Sequence, residues 1–231
     1  MRMSRLFATT AAAALLFGAA AAQAQDAPFT ITGSATLTTD YVFRGISQTD
    51  EGVAAQAGLN LETNYGVFAG IWGSNVDFND GDEASAELDY FIGYTNTIGN
   101  FGYTAQVLYY TYPGADSDLD YNYWEVGLNV EYTIGRFTPK ASVYYSPEYF
   151  GDAGDAWYVS GGLAAAVTDN LGVDVNVGLQ TGDAWADDVV DWSFGVTASH
   201  FGLDFALRYH DTDMDADLAD ERVVFTVSKS F

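Results

Sequence analysis

Hydrophobic and polar residues alternate along most of this chain with a period of two. Across positions 29–44 the odd residues are Phe29, Ile31, Gly33, Ala35, Leu37, Thr39, Tyr41 and Phe43. The even ones are Thr30, Thr32, Ser34, Thr36, Thr38, Asp40, Val42 and Arg44. Successive side chains of a strand point to opposite faces, so this stretch reads as one long ribbon with an apolar and a polar side. Strands in soluble sheets run to about 5–6 residues, whereas a tilted strand crossing a bilayer takes roughly 9–11. The ribbon is long enough to cross.

The pattern recurs to the end of the chain. Val53, Ala55, Ala57, Leu59 and Leu61 alternate with Ala54, Gln56, Gly58, Asn60 and Glu62 in a second strand. A third, from position 65 to about 72, alternates poorly, because Phe68 and Trp72 fall opposite Val67 and Ile71. Further strands are expected near 84–95, 101–109, 123–132, 137–145, 157–167, 171–180, 192–198, 201–210 and 223–231, which makes twelve. Their connections alternate between long and short. The long ones near 45–52, 74–83, 113–120, 146–155, 182–191 and 211–221 carry most of the 32 acidic residues, and the short turns carry almost none. An even strand count, long loops on one rim and apolar-outward alternation predict an all-β fold: a transmembrane antiparallel up-and-down β-barrel of about 12 strands.

A periplasmic or secreted β-sandwich also alternates, but it does not call for aromatic belts. In a barrel, Tyr109, Tyr145, Tyr209, Trp124, Trp157 and Trp192 fall at one height. Phe29, Tyr65, Phe101, Phe137, Phe201 and Phe231 gather at the other. Two girdles are what the two headgroup layers of a membrane demand.

Upstream of the strands, Arg2 and Arg5 precede an apolar run over 11–22 and the triplet Ala22-Gln23-Ala24. This is the pattern of a secretory signal cleaved after Ala24, leaving 25–231 as a single barrel domain. The run is too short for a spanning helix. The formal net charge of −24 opposes binding to nucleic acid and favours cations. Cysteine is absent, which removes disulfide and thiolate chemistry.

Parity sends the charged residues of the strands into the lumen, because at mid-bilayer a charge on the lipid face costs up to about 2–4 kcal/mol. The expected pore-lining set is Asp40, Glu62, Glu87, Asp89, Glu125, Glu131, Asp174 and Asp204, with Arg44, Lys140, Arg208 and Arg222. Charges along a pore set its selectivity by sign. The acidic excess predicts a porin-like channel for passive diffusion of small hydrophilic solutes, with cations or neutral solutes favoured. The alternative is a plugged barrel whose charges pair across the interior and which acts as a scaffold or interaction protein; strand count does not decide between them. Arg44 and Asp40 share a face at the top of the first strand and are expected either to form an ion pair anchoring the first loop or to line a constriction.

Two other motifs fall short. Asp211, Asp213, Asp215 and Asp217 resemble a calcium loop, but Ala216 stands where glycine is needed and Arg222 where the bidentate glutamate belongs. Loose divalent binding there, together with lipopolysaccharide phosphates, is the weaker alternative to a solvated loop. A lipid hydrolase needs a serine activated by an oriented histidine. Only His200, beside Ser199, and His210 are available, with no G-x-S-x-G or HExxH motif. No catalytic residue, cofactor or metal is expected.

The sequence SATLTTDYVFRGISQT, positions 34–49, together with the signal segment, the glycine–aromatic turns and Phe231, resembles the proteobacterial TorF family of porins. The resemblance implies a bacterial cell outer-membrane location and a pore. It also implies contact with outer-membrane lipid and lipopolysaccharide, and recognition of the terminal Phe231 by the barrel-assembly machinery. Small solutes are the implied ligands, and a homo-oligomer is compatible with the pattern.

Overall fold

The structure is a computed structural model that describes residues 28–79 and 84–231. The expected signal segment, 1–24, and Asp80, Asp82 and Glu83 of the second long loop lie outside the described residues. Twelve strands form one closed antiparallel barrel: β1 (Phe29–Thr38), β2 (Ala54–Thr63), β3 (Val67–Asn75), β4 (Ala86–Ile98), β5 (Phe101–Thr111) and β6 (Tyr123–Tyr132) make one half. β7 (Phe137–Ser146), β8 (Ala156–Ala166), β9 (Leu171–Thr181), β10 (Val189–His200), β11 (Leu203–Thr212) and β12 (Arg222–Ser230) make the other. Each strand pairs with its sequence neighbours, and β1 closes on β12 from Ser34↔Ser230 to Thr38↔Thr226. Gly33 and Phe231 exchange a further pair of backbone hydrogen bonds at that seam. Closure leaves no strand edge unpaired and rules out the sandwich.

The faces follow the parity of the sequence. Ile31, Leu37, Leu59, Ile92, Val126, Val175, Phe194, Leu207 and Val223 stand exposed on the outer wall, while Asn60, Glu87, Asp89, Glu125, Asp174 and Arg208 are buried inside. An apolar surface that runs around the whole barrel far exceeds the patches that monomeric soluble proteins expose. Tyr109 faces Trp124 and Tyr145 faces Trp157 in register near the long-loop rim. Phe29, Phe101, Phe137 and Phe231 are exposed toward the short-turn rim. At the long-loop rim Tyr209 faces Phe194 and Trp192 faces Asp211, so that part of the belt differs from the expected register.

Three boundaries differ from expectation. Tyr65 belongs to the turn before β3, not to the strand. Phe201 lies in the turn after β10, in the left-handed conformation, and the residue is 91% exposed. The largest difference is at the start: the ribbon predicted over 29–44 leaves the wall after Thr38. Residues Asp40–Thr49 turn inward, and Val42–Phe43 pairs with Ile46–Ser47 in a two-stranded hairpin inside the barrel.

Candidate functional site: a hairpin inserted in the lumen

The inserted hairpin starts from an anchored carboxylate. Asp40 Oδ1 accepts hydrogen bonds from Ser47 Oγ (2.7 Å) and Thr49 Oγ1 (2.9 Å), while Oδ2 accepts from Arg222 Nη1 of β12 (3.0 Å). These bonds draw both ends of the loop together and tie them to the wall. At the tip, Arg44 (φ 49°) and Gly45 (φ 85°) both occupy the left-handed region, as a two-residue type I′ turn requires. Gly45 also sits against Thr212 and Asp191, where a Cβ would collide with both side chains.

From this base the hairpin crosses the lumen. Tyr41 packs edge-on against Trp72 of β3, with ring centroids 5.3 Å apart, and Phe43 packs against Tyr110 of β5 at 6.1 Å. Arg44 Nη2 donates to Glu125 Oε2 of β6 at 2.7 Å, and Tyr110 Oη donates to the same oxygen at 3.1 Å. The guanidinium carbon lies 4.4 Å from the ring centre of Tyr158 and 5.4 Å from that of Tyr144. Phe43 covers it from the hairpin side at 4.6 Å. Gln180 of β9 donates to the Arg44 carbonyl at 3.3 Å. The expected Asp40–Arg44 ion pair is therefore not formed. The turn carries Arg44 away from Asp40, and each finds a partner on a distant strand.

Around the hairpin the long-loop half of the lumen is filled. Arg44, Tyr110, Glu125 and Gln180 are at most 3% exposed, and Asp89 is fully buried. Phe68, Phe91 and Leu108 extend this cluster along the wall. Above it the loops contribute an aromatic cap, in which Phe150 stacks on Tyr121 (4.1 Å) and meets Phe78 and Tyr112 edge-on. Burial pushes the Tyr149 phenol in this cap up to about 12. Burial, and then the charges of Glu87 and Asp89, raise that of Tyr41. Both phenols stay neutral. Toward the short-turn rim the interior opens: Thr104, Asn129, Glu131, Lys140, Ser142, Asp204 and Thr226 are all partly exposed.

Ten of the twelve candidate charges stand on the inward side of the strands, whereas Asp40 and Arg44 ride on the inserted hairpin, so the set does not form one lined tube. Arg208 binds Asp174 with two hydrogen bonds, 2.6 and 2.8 Å, reaching across Gly195, where a Cβ would meet the guanidinium. Lys140 faces Glu131 in register, and Arg222 joins Asp40 and Glu51. Glu62 lies nearer the short-turn rim. Glu87 and Asp89 sit two residues apart on the same face of β4. Among the described residues, both oxygens of Asp89 and one of Glu87 have no hydrogen-bond donor. Ser199 donates to Asp204 and not to a histidine, and the His200 ring packs on Phe201.

Sequence reading missed Tyr110, Tyr144, Tyr158, Gln180 and Asp191. On their own strands Tyr144 shares the parity of Lys140 and Gln180 that of Asp174, while Tyr110 and Tyr158 fall opposite the outward Tyr109 and Trp157, so the signal was available for four of them. Asp191 was counted as a loop residue, but it pairs with Thr212 within β10 and faces inward.

A closed barrel with an apolar wall and a polar interior defines a protein of the transmembrane β-barrel class. Within that class, residues 22–231 match the Gcw_chp model, described as a bacterial protein of unknown function, and the chain belongs to that family. None of the curated proteins matches it. Among solved structures it shares its fold with a "KdgM porin in complex with disordered oligogalacturonate", at TM-score 0.57 and 8% identity over 87% of this chain and 98% of that one. A chain from "Unveiling the Mechanism Behind the in-meso Crystallization of Membrane Proteins" aligns at TM-score 0.54 and 9% identity, over 87% of this chain and 83% of that one.

Proposed function

We propose that this chain is an outer-membrane channel for small hydrophilic solutes, with cations and neutral solutes favoured, and that the inserted hairpin is its gate. The observation that carries this reading is the hairpin itself. It is a ten-residue segment held inside the lumen by side-chain contacts to nine different strands, within a wall built to face lipid. The TorF-like segment over 34–49, which runs through this hairpin, supports the porin reading. So does the shared fold with the KdgM porin. Long loops face the exterior in such barrels, which puts the aromatic cap outside and the open vestibule toward the periplasm. The lumen charges remain the residues expected to meet solutes. Acids outnumber bases among them, so cation passage is favoured over anion passage.

The absence of native cysteine makes a direct test clean. Thr49 of the hairpin base pairs with Asp77 of the next loop, so Thr49→Cys with Asp77→Cys locks the gate when oxidised. In planar bilayers the oxidised barrel is expected to stay closed, and reduction to restore stepwise currents with a cation-selective reversal potential. Equal conductance in both states rejects the gate, and anion selectivity rejects the charge argument. The filled lumen favours a second reading, a non-conducting barrel that serves as an interaction scaffold. Silence of the reduced protein at every voltage would establish it.

A further inference from the structure

We propose that the lumen wall around Arg44 is a recognition cage for guanidinium-bearing solutes, filled in this conformer by the chain's own arginine. The inference rests on the hairpin being movable, as the channel reading has it, and it names the solute class that the vacated wall accepts.

The cage belongs to the wall and not to the hairpin. Glu125 supplies the carboxylate, with its Oε2 aimed at the Arg44 Nη2 and steadied by the Tyr110 hydroxyl. Tyr158 and Tyr144 supply ring faces. Both rings are fixed by contacts that do not involve Arg44. The Tyr144 hydroxyl is bonded to Asn129 (2.9 Å) and Gln106 (3.1 Å), and the Tyr158 hydroxyl donates to Asp191 at 3.3 Å. Each ring lies flat against a glycine on a neighbouring strand, Gly127 under Tyr144 and Gly178 under Tyr158, where a Cβ would occupy the ring's place. Only Phe43 leaves with the hairpin. The wall is thus preorganised, which lowers the ordering cost of binding.

The chemistry selects a planar delocalised cation. A guanidinium combines a carboxylate hydrogen bond with stacking on aromatic faces and is less strongly hydrated than an ammonium. Charge pairing points the same way. Arg44 takes the buried Glu125 as its partner, so a solute that displaces Arg44 must itself be cationic to avoid stranding that carboxylate.

The test uses Arg44→Gly, which suits the left-handed backbone at φ 49° and empties the cage. Calorimetric titration of the detergent-solubilised full barrel with ethylguanidinium, ethylammonium and the neutral isostere ethylurea is expected to rank them in that order. The guanidinium should bind about tenfold or more tighter than the urea. Adding Glu125→Gln should abolish the difference. If Arg44→Gly does not fold alone, refolding with ethylguanidinium should recover the heat-modifiable barrel, whereas ethylurea should not. Equal action of ethylguanidinium and ethylurea in either format overturns the cage. Neither format needs current flow, so a barrel that fails the locking experiment can still pass this one.

Discussion

At the scale of single residues, the lumen shows which charges are fixed by partners and which are not. Arg208 and Asp174 are both largely buried and joined by two short hydrogen bonds. Replacing such a pair outright is often tolerated, but removing one partner strands a buried charge and costs roughly 3–5 kcal/mol. Asp174→Asn is therefore expected to lower the free energy of unfolding by that order in a urea titration of the reconstituted barrel. Asp169→Asn, in an exposed turn, should change it by no more than about 0.5 kcal/mol. Strand parity already separates the inward Asp174 from the turn residue Asp169. What parity does not show is the partner, which Gly195 admits by clearing a path for the Arg208 side chain across one strand.

At the scale of elements, the departure from expectation is the first ribbon. Alternation over 29–44 falters only at Thr39 and Val42, and a pattern of period two does not record that the strand stops at Thr38. The information lies in short-range chemistry: a carboxylate at Asp40 seven and nine residues from two hydroxyls, and an Arg-Gly pair that accepts two successive positive φ values. Gly45→Val places a branched side chain both in the left-handed region, at a cost of about 1–2 kcal/mol, and into Thr212 and Asp191. The hairpin tip is expected to leave its seat while the wall persists. The measurement is proteolysis of intact proteoliposomes, with new cleavage near position 45 and an unchanged heat-modifiable gel shift. Continued protection of the loop would show that the tip is not held by this fit. The poor alternation of β3 has the same origin. Phe68 and Trp72 face inward because the hairpin gives the lumen an apolar region to pack against.

At the scale of the whole molecule, the barrel is a bowl closed at the long-loop rim and open at the other. Thiol labelling follows directly, since there is no native cysteine to confuse it. On the same strand, β7, Ser142 is partly exposed on the inner face and Ser146 is fully buried. A charged methanethiosulfonate reagent is expected to modify Ser142→Cys within minutes and to leave Ser146→Cys unmodified until the hairpin moves. Equal rates would mean that the long-loop half is not filled. The apolar wall makes a prediction of its own: the folded protein should partition with the membrane fraction and require detergent for extraction. Recovery as a soluble monomer would contradict the lipid-facing wall.

The sequence alone determined the strands, their number, the side each residue takes and the rim on which the long acidic loops stand. These are consequences of local geometry, because a strand alternates its faces whatever its neighbours do. It also placed ten of the twelve candidate charges on the inner face of the strands, and missed that Asp40 and Arg44 leave the wall. The tertiary structure decided the rest: that Asp40 meets Arg222 and Arg44 meets Glu125, that the end of the first ribbon folds into the lumen, and that tyrosines and a glutamine surround its tip. Those outcomes depend on which side chains closure brings face to face across the interior, between residues 81, 136 and 182 positions apart. A periodicity of two carries no information about which of them meet.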